Sequence, residues 1–221
     1  MAFGAISRLF APRPVRSLAP QDAYELWAET YPPWAHNPLM AAEQSVVEPI
    51  VRAAKPRRAL DIGTGTGRGL ALLAEAGART SVGVDLSMAM LRRCTAAGPC
   101  VCGDACCLPF KDASFDVVSS SLMVGDVMDV SVWIREATRV LARGGTLVYS
   151  DFHPSWTERG WTRTFRTAAG DLVEAAFHPH TIDQHLRGLE DAGLEVRAIR
   201  EPRAEGRPAP VVAVFHASKP R

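Results

Sequence analysis

From Arg58 onward the chain alternates short β-rich apolar runs with stretches whose apolar residues return every three or four positions. The first pattern fits strands buried on both faces, the second fits helices that cover them, and together they predict a wrapped parallel sheet. Seven strands are expected, over Ala59–Ile62, Ser81–Asp85, Cys100–Gly103, Phe115–Ser120, Thr146–Asp151, Leu194–Arg200 and Val211–Ala217. Val130, Trp133, Ile134, Ala137, Val140 and Leu141 make one helical stripe, with Gly144-Gly145 read as its stop. A second helix is expected from Thr181, where Thr181 and Gln184 suit a capping box; Ile182, Leu186 and Leu189 supply its core face, and Gly193 ends it.

Outside this alternation lie three pieces. Residues 1–21 hold three arginines and no acid before Gln21, and read as a flexible N-terminal arm. Residues 22–54 predict two helices forming a cap, hinged at the proline-broken "TYPPWAHNPL". Residues 152–180, rich in Trp, Phe, Arg and His, interrupt the pattern between the fifth strand and the last helix and read as a lid insert. A chain of 221 residues without internal repeats suits one domain, over 22–221.

Charge then narrows the partners. Lys plus Arg number 25 against 24 Asp plus Glu, which argues against nucleic acid and favours a small molecule. No apolar run reaches the roughly 18 to 20 residues of a membrane span, and no secretory signal is evident, so a cytoplasmic, reducing setting is expected. The five cysteines, four of them in "CVCGDACC", are then not expected to form structural disulfides. Cys100 and Cys102 alternate on the third strand as small apolar residues, and no second ligand pair stands at zinc spacing. Cys106 and Cys107 read as oxidisable neighbours of the ligand pocket.

The strongest chemical signal is the strand Ala59–Ile62 running into Gly63, Gly65 and Gly67 and then a Leu-rich helix. Glycines allow the tight turn and let a ligand touch backbone, while the helix start offers unpaired N–H groups. The G-x-G-x-G spacing puts Arg68 where a dinucleotide fingerprint needs its third glycine, which disfavours NAD. A phosphate loop is excluded because no Gly-Lys-Ser/Thr follows. The next strand ends at Asp85, about twenty residues on, where a carboxylate can accept two ribose hydroxyls; the following one ends at Asp104, which can accept from an adenine amino group.

Together "LDIGTGTG", "GVDLS", "GDACCLPFKDASFDVV" and "ATRVLARGGTLVYSD" resemble the class I S-adenosylmethionine-dependent methyltransferases, particularly the branch with quinone and malonyl-ACP methyltransferases. The resemblance spans about Ala59 to Asp151. It implies an α/β fold with a seven-stranded, Rossmann-like, doubly wound sheet, mostly parallel with an antiparallel last strand pair. It implies S-adenosyl-L-methionine as cofactor and methyl transfer to oxygen or carbon of a small organic acceptor, with an acyl-carrier-linked carboxylate or a catalytically silent binding protein as alternatives. It carries over Gly63, Gly65 and Gly67 with Asp61 beneath them as the methionine-end loop, Asp85 as the ribose acid and Leu86 as an adenine wall. Asp104 and Ala105 carry over as the adenine-edge pair, Ser120 and Ser121 as the stretch beneath the methionine portion. The aromatic piece "YELWAETYPPWAHNP" is similar to a cofactor-covering N-terminal helix, which brings in Tyr31.

Methyl transfer from a sulfonium is an in-line displacement, so the protein must align the acceptor, exclude water and take a proton where one must leave. His153, just after the fifth strand, and Asp126, after the fourth, are the candidate proton acceptors. Trp34, His36, Trp161, His178 and His180 are candidates for the acceptor's walls; His178 and His180 share one face if extended, yet no acidic or thiol partner stands at ligand spacing, so no metal is expected. Arg159, Arg163 and Arg166 are positioned in the sequence to steer an anionic acceptor. Oligomeric state is not encoded in these patterns.

Overall fold

The structure is a computed structural model and describes residues 15–221. In chain order its elements are β1 (Arg16–Leu18), α1 (Pro20–Trp27), α2 (Pro38–Ala54), β2 (Arg58–Ile62), α3 (Arg68–Glu75), β3 (Thr80–Asp85), α4 (Met88–Leu91) and β4 (Cys100–Cys102). There follow β5 (Phe115–Ser120), α5 (Val130–Val140), β6 (Leu141–Phe152), α6 (Ser155–Glu158), β7 (Arg163–Arg166), β8 (Leu172–Ala175), α7 (Ile182–Asp191), β9 (Glu195–Arg200) and β10 (Val212–Ser218).

The main sheet has the order β4-β3-β2-β5-β6-β10-β9, parallel except that β10 runs antiparallel to both β6 and β9. Its inner strands β2, β5, β6 and β10 are buried on both faces because alternate residues feed two cores, while the edge strands β4 and β9 are not. Leu60, Ile62, Val118, Leu147, Tyr149, Ala213 and Phe215 face α5 and α7, where Trp133, Ile134 and Leu189 complete the packing. Ala59, Val117, Val148, Val212 and Val214 face α2 and α3, meeting Met40, Val47, Val51 and Leu73. The order of strands reverses between β2 and β5, and such a switch point opens a crevice at the C-terminal strand ends.

Two expectations give way. Gly144-Gly145 does not stop the helix: α5 ends at Val140 and the chain passes directly into β6, whose register against β5 shifts between Phe115 and Val117. Gly144, with φ +75°, lies inside that irregularity, where glycine tolerates the left-handed backbone. The second concerns the arm and the lid. Arg16–Leu18 pairs in parallel with Leu172–Ala175, and β8 pairs antiparallel with β7, giving a second, three-stranded sheet. The described end of the expected arm is thus tied to the lid, while residues 1–14 lie outside the described part. A small core of Leu18, Ala23, Phe165, Val173 and Ala175 holds this sheet on α1, with Trp27 stacked on Phe165 at 4.5 Å between ring centroids. Cap and lid therefore form one roof. The capping box of Thr181 and Gln184 is present, and His185, Gly188 and Leu189 form the buried face of α7. Among the described residues no helix is long and apolar enough to cross a membrane.

Candidate functional site

The turn after β2 is built on three left-handed glycines, Gly63, Gly65 and Gly67, at φ +71°, +54° and +98°. A Cβ on Gly63 would come within 2.3 Å of Met123 Cγ, whereas a Cβ on Gly65 would meet nothing within 4 Å. Gly63 is therefore needed for packing, and Gly65 leaves bare backbone facing open space. Behind the loop lies Asp61, buried, accepting from Ser119 Oγ at 2.9 Å; burial pushes its carboxyl up to about 6 despite that hydrogen bond. At the end of β3, Asp85 accepts the Gly65 N–H on Oδ2 and the Ser87 N–H on Oδ1, both at 2.8 Å. Burial raises its pKa, those amides oppose the rise, and each oxygen keeps acceptor capacity for a further donor.

A cavity of about 450 Å³ opens over these strand ends, within the range of small-molecule sites. Asp61, the first two loop glycines, Asp85, Leu86, Asp104, Ala105, Ser121, Tyr31 and Asp126 line it, so most of the expected ligand-binding residues converge. Gly67 caps α3 just behind the wall. Asp104 is exposed at the rim, its Oδ1 accepting the Cys106 N–H at 2.8 Å, and Leu86 remains 48% exposed beside it. Ser120 is buried and does not line the cavity; its neighbour Ser121 does.

The roof joins elements far apart in sequence. Arg163 on β7 is buried and donates to Tyr24 Oη at 2.9 Å, to the carboxylate of Asp126 and to Ala176 O at 2.7 Å. Burial raises the Asp126 pKa and the guanidinium pulls it back, so this acid is held in place by a cation rather than free in the cavity. Arg163 itself does not steer an anion from the surface, as the charge pattern suggested. Below, Arg68 pairs with fully buried Glu43 at 2.8 Å, Glu43 accepts from Ser150 Oγ at 3.0 Å, and Ser150 Oγ accepts the Leu122 N–H at 2.9 Å. Leu122 has φ +57°, so this chain of bonds holds a left-handed residue on the cavity wall. Thr66 Oγ1 donates to Pro32 O at 3.1 Å, fastening the cap's hinge to the glycine loop.

Other expected residues sit elsewhere. His153 lies outside the cavity lining: its Nδ1 accepts the Ser155 N–H at 3.1 Å and its Nε2 meets Glu201 at 2.8 Å, a turn-capping arrangement rather than a proton acceptor for a ligand. Trp34 is 63% exposed, and His36 packs edge-on against Tyr31, behind the wall. Trp161 packs on Trp156 and under Arg159 and Arg207. His178 uses its backbone N–H on Gly125 O at 2.7 Å.

His180 does find an acid, contrary to its sequence spacing. Its Nδ1 lies 2.9 Å from Asp151 Oδ2, which His185 Nε2 also reaches at 3.2 Å, and His185 Nδ1 meets Tyr149 Oη at 3.2 Å. These three ligand-type residues are buried with their atoms within 4.8 Å. Burial opposes ionisation of Asp151, but the two imidazoles outweigh it and hold its carboxyl below the usual range. Cys102 is exposed rather than packed, its Sγ 3.6 Å from Leu86 O. Tyr24, part of the aromatic piece expected to cover the ligand, lines the cavity, whereas nothing in the sequence pattern singled out Met123 as a wall residue or Glu43 as a buried anchor.

Comparison with known proteins agrees with this geometry. A family described as a methyltransferase domain matches residues 60–149. A malonyl-[acyl-carrier protein] O-methyltransferase from Halorhodospira halophila is 35% identical over 58% of this chain, and a demethylmenaquinone methyltransferase from Thermotoga maritima is 31% identical over 68% of this chain and 75% of that relative. The chain spans only about half the length of the Halorhodospira protein, 50%. An S-adenosylmethionine dependent methyltransferase from Mesorhizobium loti superposes with a TM-score of 0.61 at 26% identity, covering 76% of this chain and 95% of that one.

Proposed function

Because this chain belongs to the S-adenosylmethionine-dependent methyltransferases, we propose that its cavity holds that cofactor and moves the methyl group to oxygen or carbon of a small, largely apolar acceptor bearing a hydroxyl or activated carbon. The observation that carries the reading is the pairing of Asp85 with the Gly65 amide beneath open space. The residues suit the cofactor: bare backbone at Gly65, a ribose-facing acid at Asp85, a rim acid at Asp104 and a buried acid at Asp61 for the cationic end. When bound, the cofactor supplies an electrophilic methyl on a positively charged sulfur.

The chain's own residues then align and shield. Asp85 and the loop amides fix the ligand's ribose end, while Asp61 offers negative charge to its amino-acid end. Tyr24, Tyr31, Leu122, Met123 and Val127 close the remaining wall and keep water out. Asp126, raised by burial and oriented by Arg163, is the acid placed to accept a proton from an acceptor hydroxyl. Met128, 79% exposed at the cavity mouth, offers an adaptable apolar surface to the acceptor.

A carrier-linked carboxylate is the second reading, favoured by the 35% identity to the Halorhodospira enzyme. It needs a free cation near the cavity, and Arg163 is already engaged by Asp126. Incubation with methyl-labelled cofactor and parallel panels of phenols, quinols and malonyl-carrier conjugates tests both. Label on a phenol or quinol supports the first reading; label only on the carrier conjugate replaces it with the second. Label on neither, with cofactor still bound, leaves a silent binding protein.

A further inference from the structure

Apart from Cys106 on the cavity wall, the site described above uses none of the five cysteines. Two of them meet. The sulfurs of Cys94 and Cys100 lie 3.4 Å apart, six positions apart in sequence, both free and both partly exposed. Cys100 is held at the start of β4 by pairing with Gly83, whereas Cys94 sits in the irregular segment after α4.

The same segment supports the glycine loop. A Cβ on Gly67 would lie 2.7 Å from Cys94 Sγ and 2.8 Å from Ala96 Cβ, so both side chains rest against the Gly67 backbone. The Thr95 N–H also donates to Thr66 O at 3.4 Å. Gly67 is the left-handed N-cap of α3 and closes the loop whose open face is at Gly65. Whatever displaces Cys94 displaces that support.

We infer that Cys94 and Cys100 form a modification site, in which a hydroperoxide oxidises the pair to an intramolecular disulfide that weakens cofactor binding through the glycine loop. In the first step the Cys94 sulfur attacks the peroxide: an S–O bond forms, the O–O bond breaks, and the thiol proton leaves with the released water or alcohol. The Cys100 sulfur then attacks Cys94: the S–S bond forms, the S–O bond breaks, and the oxygen departs as water with the Cys100 proton. Two electrons pass from the thiol pair to the peroxide. Burial, then the neighbouring Cys94, pushes the Cys100 thiol up to about 12, which disfavours it as the first attacker and makes closure of the disulfide the slower of the two steps. A bond of about 2.05 Å requires the sulfurs to close up. Cys94 does the moving, because Cys100 is fixed in the sheet, and it withdraws from Gly67.

The coupling half of this inference rests on the cofactor reading, so two separate measurements are made on the full chain. Reduced protein is treated with hydrogen peroxide, its intact mass and peptides are determined, and S-adenosylhomocysteine is titrated before treatment, after it, and after dithiothreitol. The expected result is a loss of about 2 Da, a linked Cys94–Cys100 peptide, and affinity lowered roughly tenfold or more and restored by reduction. Cys100→Ser should form no link and keep its affinity after peroxide, which separates this effect from oxidation of Cys106. Peroxide that leaves Cys94 and Cys100 unlinked overturns the site. A link with unchanged affinity overturns the coupling. Reduced protein that binds no S-adenosylhomocysteine overturns the cofactor reading and the coupling with it, while the mass still decides the disulfide.

Discussion

The Gly65 N–H donates to Asp85 Oδ2 across 2.8 Å, joining the middle of the glycine loop to the end of the neighbouring strand. One carboxylate thus holds the loop open and faces the space above it. Asp85→Ala is expected to weaken S-adenosylhomocysteine binding by about 2–3 kcal/mol, roughly a hundredfold. Calorimetry on a variant with native circular dichroism checks this; unchanged affinity would remove Asp85 from the ligand site.

Gly63 and Gly65 should fail in different ways. A methyl on Gly63 collides with Met123 at 2.3 Å, so Gly63→Ala is expected to cost about 2–3 kcal/mol of stability. Gly65→Ala meets no neighbour and carries only the left-handed backbone penalty, about 1–2 kcal/mol. Its methyl projects into the cavity, so its larger loss should appear in cofactor affinity. Urea melts alongside titrations separate the two; equal effects on both quantities would contradict the assignment of distinct roles.

Glu43 is fully buried between Arg68 and Ser150. Removing it leaves a guanidinium without its counter-charge and frees the hydroxyl that holds Leu122. Glu43→Ala is expected to destabilise by about 3–5 kcal/mol. Denaturant unfolding is the check, and a loss under about 1 kcal/mol would show that water takes over the role of Glu43.

Asp61 predicts a pH dependence with a definite sign. Its folded pKa is raised to about 6, first by burial and further by Asp85, against the Ser119 hydrogen bond and the charge of Arg68. The folded state therefore holds a proton that the unfolded state has lost, so this group adds stability below about pH 4 that disappears as pH rises through 6. A cationic ligand beside it favours the ionised form. Affinity for S-adenosylmethionine should fall roughly tenfold from pH 7 to 5, and Asp61→Asn should flatten that dependence while melting no lower than wild type at pH 7. A wild-type pH profile already flat would place the cationic end elsewhere.

Much of the sheet was legible because each parallel strand is a short apolar run bounded by polar turns: the seven expected strands match the seven of the main sheet to within a residue or two, except at the start of β6. There Gly144-Gly145 imitates a helix stop, while the strand has already begun at Leu141. The second sheet was not legible. Its strands "RSL", "RTFR" and "LVEA" are short, charged and stabilised by partners more than 150 residues away for β1, so no local pattern announces them. The cavity-lining residues of the loop and of Asp85 and Asp104 were readable because three successive strand ends carry them in order. Asp126 and His153 looked alike as acids and bases beyond strand ends; what separates them is Arg163 for one and Ser155 with Glu201 for the other. The Arg163 and Glu201 contacts depend on chain returning from elsewhere, which spacing does not record.

The central claim is that the cavity over β2, β3 and β4 is the S-adenosylmethionine site. Titrating the full wild-type chain with S-adenosylhomocysteine by calorimetry tests it most directly. One molecule is expected to bind per chain with a Kd on the order of micromolar, and binding is expected to be lost in Gly65→Val. Absence of binding to folded protein at ligand concentrations near about 1 mM, or binding undiminished in Gly65→Val, would contradict it.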